Sequence, residues 1–311
     1  MIKAAKLGQN FLRDRNIAAK IVSEFLPQPG PVLEIGAGHG ILSELLMEKI
    51  PASLLTLVEI DPLLAQGLRQ RFGSQLQIME NDILDIDLAD IYPQGQHKSS
   101  AYPGGSDRSV TLGGGGSDLS VPQGQLKPSA DFGGYGLSVP QGQVGIIGNL
   151  PYLISKDLID WFIAQQEKIG FCVLMLQKDF VDKLLSPAGG KKYNAQSVLF
   201  QFLFQARRCF NVPAGAFSPV PKITSTVFVV QPTSALAQDE KIEFYRFVKL
   251  CFGLRRKTLW NNLAPHFEKQ VLSGIAAVCG LSDRLRAEEL AADRFFSLFA
   301  ALKKNAANRQ R

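Results

Sequence analysis

The chain has 311 residues, 46% of them hydrophobic, and a formal net charge of +6, which suits a globular protein of one large and one smaller domain with a real core. Four cysteines (Cys172, Cys209, Cys251 and Cys279) stand far apart with no C-x-x-C pair; that argues against a zinc site or a disulfide framework and fits a reducing compartment. Met1–Lys6 leads into no apolar segment of a secretory signal, and no apolar run approaches the roughly 18 residues of a membrane span, so the expectation is a cytoplasmic protein with no metal and no membrane partner.

The predicted elements alternate from the start. Ile17, Ile21, Val22 and Phe25 have helical spacing over 17–26. Residues 32–35 read as a short buried strand that runs into a glycine turn, and 41–50 as a helix. A second strand over 54–58 ends at Glu59, a helix covers 63–72, and a third strand over 76–79 ends near Asp82. A fourth, 144–148, runs into Asn149; residues 171–176 and 226–230 are further strand candidates. Helices alternating with strands that end on polar residues predict an open parallel sheet with helices on both faces. From about residue 235 the strand signal stops. Phe244, Phe247, Val248 and Cys251 lie at helical spacing, and Leu290, Phe295, Leu298, Phe299 and Leu302 mark another helix. The expected division is therefore an α/β domain over 1–232 and a small helical domain over 233–311.

Charge follows that division. Residues 1–232 carry 20 basic and 20 acidic side chains, and residues 233–311 carry 14 and 8, so the whole excess lies in the last quarter. A basic appendage on a neutral domain suits a polyanionic partner; a solvated helical surface is the plainer reading. Residues 97–143 differ in composition from the rest. They are rich in Gly, Ser and Pro, and the heptapeptide at 119–125 recurs at 137–143, with its Pro-Gln-Gly-Gln core also at 93–96. The pattern reads as a disordered insertion flanked by a short duplication. It falls between a helix and a strand, a connection made at the N-terminal edge of a parallel sheet, whereas ligands bind at the C-terminal edge.

Three strand ends carry the cofactor chemistry, and a fourth points to the target. Gly36-x-Gly38-x-Gly40 follows a strand and opens a helix, where glycines let the backbone turn sharply against a ligand. The spacing is not that of a dinucleotide site, and no basic residue stands in the turn. Glu59 can accept from both hydroxyls of a ribose, and Asp82 is placed for an adenine amino group. A ligand with ribose and adenine but no phosphate fits, and S-adenosylmethionine (AdoMet) qualifies. Asn149-Leu150-Pro151-Tyr152 then points to an exocyclic amine as the target. An adenine N6 lone pair is delocalised into the ring; an Asn oxygen and the next backbone carbonyl can accept both its hydrogens and aim the lone pair at a methyl donor. Pro151 fixes the turn, and Tyr152 offers a stacking face worth about 1–3 kcal/mol. Phe217 of Phe217-Ser218-Pro219-Val220-Pro221-Lys222 is either the other face of a base sandwich or a core residue. Arg207-Arg208 and Arg255-Arg256-Lys257 are candidate phosphate contacts or ordinary helix-terminal charge.

Taken together these segments resemble the bacterial small-subunit rRNA adenine N6,N6-dimethyltransferases, the kasugamycin-sensitivity methyltransferase family. The resemblance adds residues 7–12, Met175-Leu176-Gln177-Lys178 and Thr258, and covers the chain except 97–143. It implies a Rossmann-like class I AdoMet-dependent methyltransferase domain with a C-terminal helical domain. It further implies that Asn10, Leu12, Gly36, Glu59, Asp82 and Asn149 hold AdoMet, that Asn149, Leu150, Tyr152 and Phe217 serve transfer, and that Lys178, Arg207, Arg208, Lys222, Arg255, Arg256 and Lys257 meet RNA. The activity implied is dimethylation of two adjacent adenosines in the 3′-terminal hairpin loop of small-subunit rRNA, by a monomer acting on the immature subunit. Ala37 stands where Pro is usual, and Leu153 where Asn is common. Two other readings are a large-subunit rRNA adenine methyltransferase of the macrolide-resistance type and a non-catalytic ribosome assembly factor.

Overall fold

A computed structural model describes residues 9–25, 30–92, 142–233 and 236–309. The chain opens with a two-residue strand, β1 (Phe11–Leu12), and helix α1 (Arg15–Phe25). Then follow β2 (Val32–Ile35), α2 (Ile41–Met47), β3 (Leu55–Glu59), α3 (Pro62–Phe72), β4 (Gln77–Glu80) and the single turn α4 (Leu88–Ile91). After residues 93–141 come β5 (Val144–Asn149), α5 (Ser155–Ala164), β6 (Ile169–Gln177), α6 (Lys178–Leu184), α7 (Ala195–Leu203), β7 (Phe204–Val212), β8 (Phe217–Ser218) and β9 (Ser225–Pro232). Four helices close the chain: α8 (Gln238–Cys251), α9 (Leu259–Leu263), α10 (Lys269–Val278) and α11 (Ala292–Arg309).

Seven strands form one sheet in the order β4-β3-β2-β5-β6-β9-β7. The first five are mutually parallel, as the alternation predicts. β9 runs antiparallel between β6 and β7, so the sheet is mixed rather than wholly parallel. The near-continuous apolar runs of β2, β3 and β6 follow from burial on both faces. β7 escapes the sequence reading for the opposite reason. It is an edge strand with exposed Arg207 and Arg208 and little apolar patterning, and it continues from α7 with no intervening turn.

The strand order reverses between β2 and β5, where a doubly wound sheet opens its ligand crevice. The two backbones approach closely there: a Cβ on Gly148 would lie 2.6 Å from the Ile35 carbonyl oxygen. One apolar core fills the α1–α2 face. The other runs from β5, α5 and α7 without a break into α8 and α11. Phe244, Phe247, Val248 and Cys251 are all buried in α8, and Phe295, Leu298, Phe299 and Leu302 in α11, with Leu290 buried just ahead. Phe202 of α7 stacks on Phe296 with centroids 4.6 Å apart and meets Phe244 edge-on at 5.1 Å, so the C-terminal helices dock on α7 through aromatic rings.

The expected disorder of 97–143 lies, up to residue 141, outside the described residues. Its flanks are placed. Tyr92 and Gly142 border the same small cavity with Val144, the first residue of β5. The Tyr92 hydroxyl donates to the Val32 carbonyl at the start of β2 (3.3 Å). Both flanks therefore sit at the N-terminal edge of the sheet.

Candidate active site

A cavity of about 240 Å³ opens at the C-terminal ends of β2, β3 and β5. Its floor is the glycine turn. Gly36, Gly38 and Gly40 have φ of +68°, +56° and +78°, a region that L side chains enter at a cost of about 1–2 kcal/mol. The amides of the turn are turned inward: Gly36 and Ala37 donate to the Val58 carbonyl, and Gly40 to that of Ala37. Gly38 donates to Glu59 Oε2 at 2.8 Å. A turn whose amides are committed to protein acceptors does not cradle a phosphate in the manner of a P-loop. This fits a nucleoside ligand without phosphate, as AdoMet is.

Glu59 is only 3% exposed, and its second oxygen accepts from the Asp61 N–H at 3.0 Å. Two backbone donors thus hold the carboxylate in one orientation, while each oxygen keeps accepting capacity for a ribose hydroxyl. Burial pushes the Glu59 pKa up, and these backbone donors oppose the shift. Asp61 in turn caps α3 by accepting from Leu63 N–H. Asp82 lines the cavity beside Ile83; its Oδ1 accepts from Leu84 N–H at 3.0 Å and so fixes the turn after β4.

Asn149, Leu150 and Tyr152 stand together at the wall. The Asn149 side-chain Nδ2 donates to the Asn10 carbonyl at 2.9 Å. The acceptor role therefore falls to Oδ1, which has no hydrogen-bond partner among the described residues. Leu150 is anchored by its N–H to the Met175 carbonyl (3.1 Å) and is 1% exposed. The Tyr152 hydroxyl meets Ser225 Oγ at 2.5 Å, which pins the ring from its far end. Burial raises the phenol pKa, so it stays neutral at physiological pH.

Two expected site residues lie elsewhere. Leu12 is 5% exposed and Phe217 2% exposed; both belong to the core of the α1–α2 face and neither borders the cavity. They face each other in the β1–β8 pair, so the segment with Phe217 braces the N-terminal strand and its ring lies in the core, the plainer of the two readings made from the sequence. Residues that the sequence reading passed over do line the cavity: Phe11, Ile60, Ile83 and Leu153. Leu153 is 68% exposed. A two-residue strand and a residue just past a strand end carry no periodicity by which to be found.

The basic pair on β7 also divides. Arg207 pairs with Glu24 of α1 (3.0 Å) and Arg208 with Asp182 of α6 (3.0 Å), because successive strand residues point to opposite faces. Around Asp182 and Asp179 gather Lys178, Lys183, Lys192 and Arg208. Arg255 joins them by donating to the Lys191 carbonyl. The group begins three residues beyond Met175, the β6 partner of Asn149. Lys222, Arg256 and Lys257 are exposed.

Behind the turn, Glu34 of β2 is 1% exposed. Burial drives its carboxyl up to about 8; the Ser43 hydroxyl nearby offsets part of the shift and the Glu59 carboxylate adds to it. Neither Glu34 Oε2 nor Ser43 Oγ has a partner of hydrogen-bond geometry among the described residues.

This geometry agrees with what the chain is similar to. Residues 2–304 match the family model described as ribosomal RNA adenine dimethylase. Two relatives named ribosomal RNA small subunit methyltransferase A align over nearly full length. That of Geobacter metallireducens is 34% identical, over 97% of this chain and 96% of the relative. That of Koribacter versatilis is 33% identical, over 97% and 95%. Among solved structures, a dimethyladenosine transferase from Plasmodium falciparum matches with a TM-score of 0.63 at 18% identity, covering 95% of this chain and 98% of that one. The 23S rRNA methyltransferase ErmE matches with a TM-score of 0.62 at 21% identity, covering 94% and 100%. At those identities the structures speak for the Rossmann-like methyltransferase fold alone. The full-length family match and the relatives above 30% identity show that the chain belongs to the ribosomal RNA adenine dimethylase family, whose methyl donor is AdoMet.

Proposed function

We propose that the protein dimethylates N6 of two adjacent adenosines in the 3′-terminal hairpin loop of small-subunit rRNA, acting as a cytoplasmic monomer on the immature subunit. The observation that carries this reading is the Asn149 amide, turned by the Asn10 carbonyl so that Oδ1, unpaired among the described residues, is the acceptor at the cavity wall. Small-subunit rather than large-subunit RNA is favoured by the names of the relatives above, since the fold likeness extends to a 23S rRNA methyltransferase as well.

When bound, AdoMet supplies an electrophilic methyl group on a sulfonium. Asn149 Oδ1 and the Leu150 carbonyl accept the two N6 hydrogens of the target before the first transfer and share the one that remains before the second, which draws the nitrogen out of conjugation. Tyr152 stacks on the base, which must leave its own stack to arrive. Glu59 and Asp82 hold the ribose and adenine of the donor, and Gly36, with Asn10, closes round it. Catalysis then rests on position and on acceptors fixed in advance, and the N6 proton departs to water after transfer. We assign Lys178, Arg208, Arg255, Arg256, Lys257 and Lys222 to rRNA phosphates. Arg207 sits on the other face, engaged with Glu24. Residues 233–311 serve as the docking domain for the particle.

The test is methyl transfer from labelled AdoMet into undermethylated small subunits, with large subunits and DNA in parallel and products identified by mass spectrometry. Dimethyladenosine in small-subunit rRNA alone is expected. Label in large-subunit RNA would move the protein to the resistance type, and AdoMet binding without transfer to any substrate would make it an assembly factor.

A further inference from the structure

The N-terminal segment 9–13 touches Asn149, the glycine turn and the β8 region. Its Asn10 carbonyl takes the Asn149 amide (2.9 Å). Its Phe11 ring packs on the glycine turn: a Cβ on Gly38 would lie 3.1 Å from the ring, and the His39 ring lies 4.4 Å away between centroids. Its backbone pairs with β8, Phe11 with Ser218 and Leu12 with Phe217, and Arg13 N–H donates to the Ala216 carbonyl at 2.8 Å. We infer that this segment is a strap that sets the rotamer and amide sense of Asn149, and that Phe11 is the positioning residue that holds the strap in place. The inference rests on the transferase reading above.

The reason is chemical. An Asn side chain offers a donor at one end and an acceptor at the other, and only the acceptor end serves an incoming amine. A main-chain carbonyl beside Asn149 has no proton to give, so it selects Nδ2 and leaves Oδ1 for the substrate. A two-residue strand is too short to hold that carbonyl by its own hydrogen bonds. Leu12 in the core and the Arg13 N–H on the Ala216 carbonyl hold its far end, and the aromatic contact on Gly38 and His39 adds a hold beside Asn10, at a turn that the cofactor also uses. Occupation of the cofactor site and alignment of the catalytic amide are thereby linked through one ring.

The experiment uses the full chain with Phe11→Ala and Phe11→Tyr, assayed on small subunits at saturating AdoMet. Phe11→Ala should lower kcat at least tenfold with rRNA-particle affinity within twofold, and Phe11→Tyr, which keeps the ring, should restore most of it. In an Asn149→Ala background Phe11→Ala should cost less than twofold more. A second readout needs no turnover: the Asn149 side-chain amide, assigned by its loss in Asn149→Ala, should exchange slowly with solvent in the wild type and Phe11→Tyr and rapidly in Phe11→Ala. An exchange rate unchanged by Phe11→Ala overturns the inference, as does a tenfold loss that persists without Asn149. If the wild type itself transfers no methyl group, the transferase reading fails, and the exchange measurement still decides the strap.

Discussion

At the scale of single residues, the site works by committing one end of each polar group to protein so that the other end has a fixed direction. Glu59 is held by two backbone N–H groups and Asn149 by one carbonyl. Removing a preset acceptor of this kind costs about 10²–10³ in rate where comparable electrostatic contacts have been removed. Asn149→Ala should therefore lose transfer by that order while particle affinity, measured by filter binding, stays within about threefold; equal loss of both would make Asn149 a structural residue. Glu34 leads to a prediction about pH. Its folded pKa, about 8, lies above the ordinary carboxylate value of 4.5, so the unfolded chain gives up this proton first. Any stability tied to that proton is intact below about pH 4.5 and is lost as pH rises toward 8. Glu34→Gln should remove that fall, so the gap in melting temperature between variant and wild type should widen from pH 5 to pH 8. A gap independent of pH would mean that the carboxyl is already ionised in the fold.

At the scale of elements, β2, β3, β5 and β6 were legible because burial on both faces writes them as apolar runs, while β4, a half-exposed edge strand, was legible by its place in the alternation; the strand-end residues Glu59, Asp82 and Asn149 came with them. The glycine turn was legible by its spacing, and its left-handed backbone adds a prediction. Gly38→Ala should destabilise the fold by about 1–2 kcal/mol through backbone strain and weaken AdoMet binding, because the new methyl group must also displace Phe11. Calorimetry on the folded variant checks both. What the sequence reading did not name were the helices α5, α6, α7, α9 and α10, the strands β1 and β8, which are too short for periodicity, and the edge strand β7. There the pair Arg207-Arg208 looks like one cluster and is two, since alternation along a strand overrides adjacency in sequence. Arg208→Ala should weaken RNA binding and reduce the slope of log affinity against log salt by about 0.7, the single-strand value per phosphate contact. Arg207→Ala should leave that slope unchanged.

At the scale of the whole molecule, the division into a sheet domain and terminal helices followed from the loss of strand signal and from charge, and the helices proved to share a core with α7 through Phe202, Phe244 and Phe296. That shared core gave no sign in the sequence, because a buried aromatic does not name its partner. The place of the flanks of 97–143 was readable from topology. Tyr92 and Gly142 stand at the sheet edge opposite the cavity, so a variant lacking 97–143 should fold and retain methyl transfer within about twofold. A soluble deletion variant with no activity would show that the segment reaches the site or the particle.

The antiparallel strand has a consequence for how the protein is made. β9 lies between β6 and β7, although β7 precedes it in the chain. As the polypeptide leaves the ribosome, the parallel half of the sheet can assemble once residue 177 is available. β7 then waits with no strand to pair with until residues 225–232 emerge and slide in beside β6. Such a pairing of distant segments is slow and leaves open edges in the interval. A nascent chain arrested so that residues up to just short of 225 have emerged should consequently be the most aggregation-prone stage of its synthesis, and one arrested so that residue 232 has emerged should be protected.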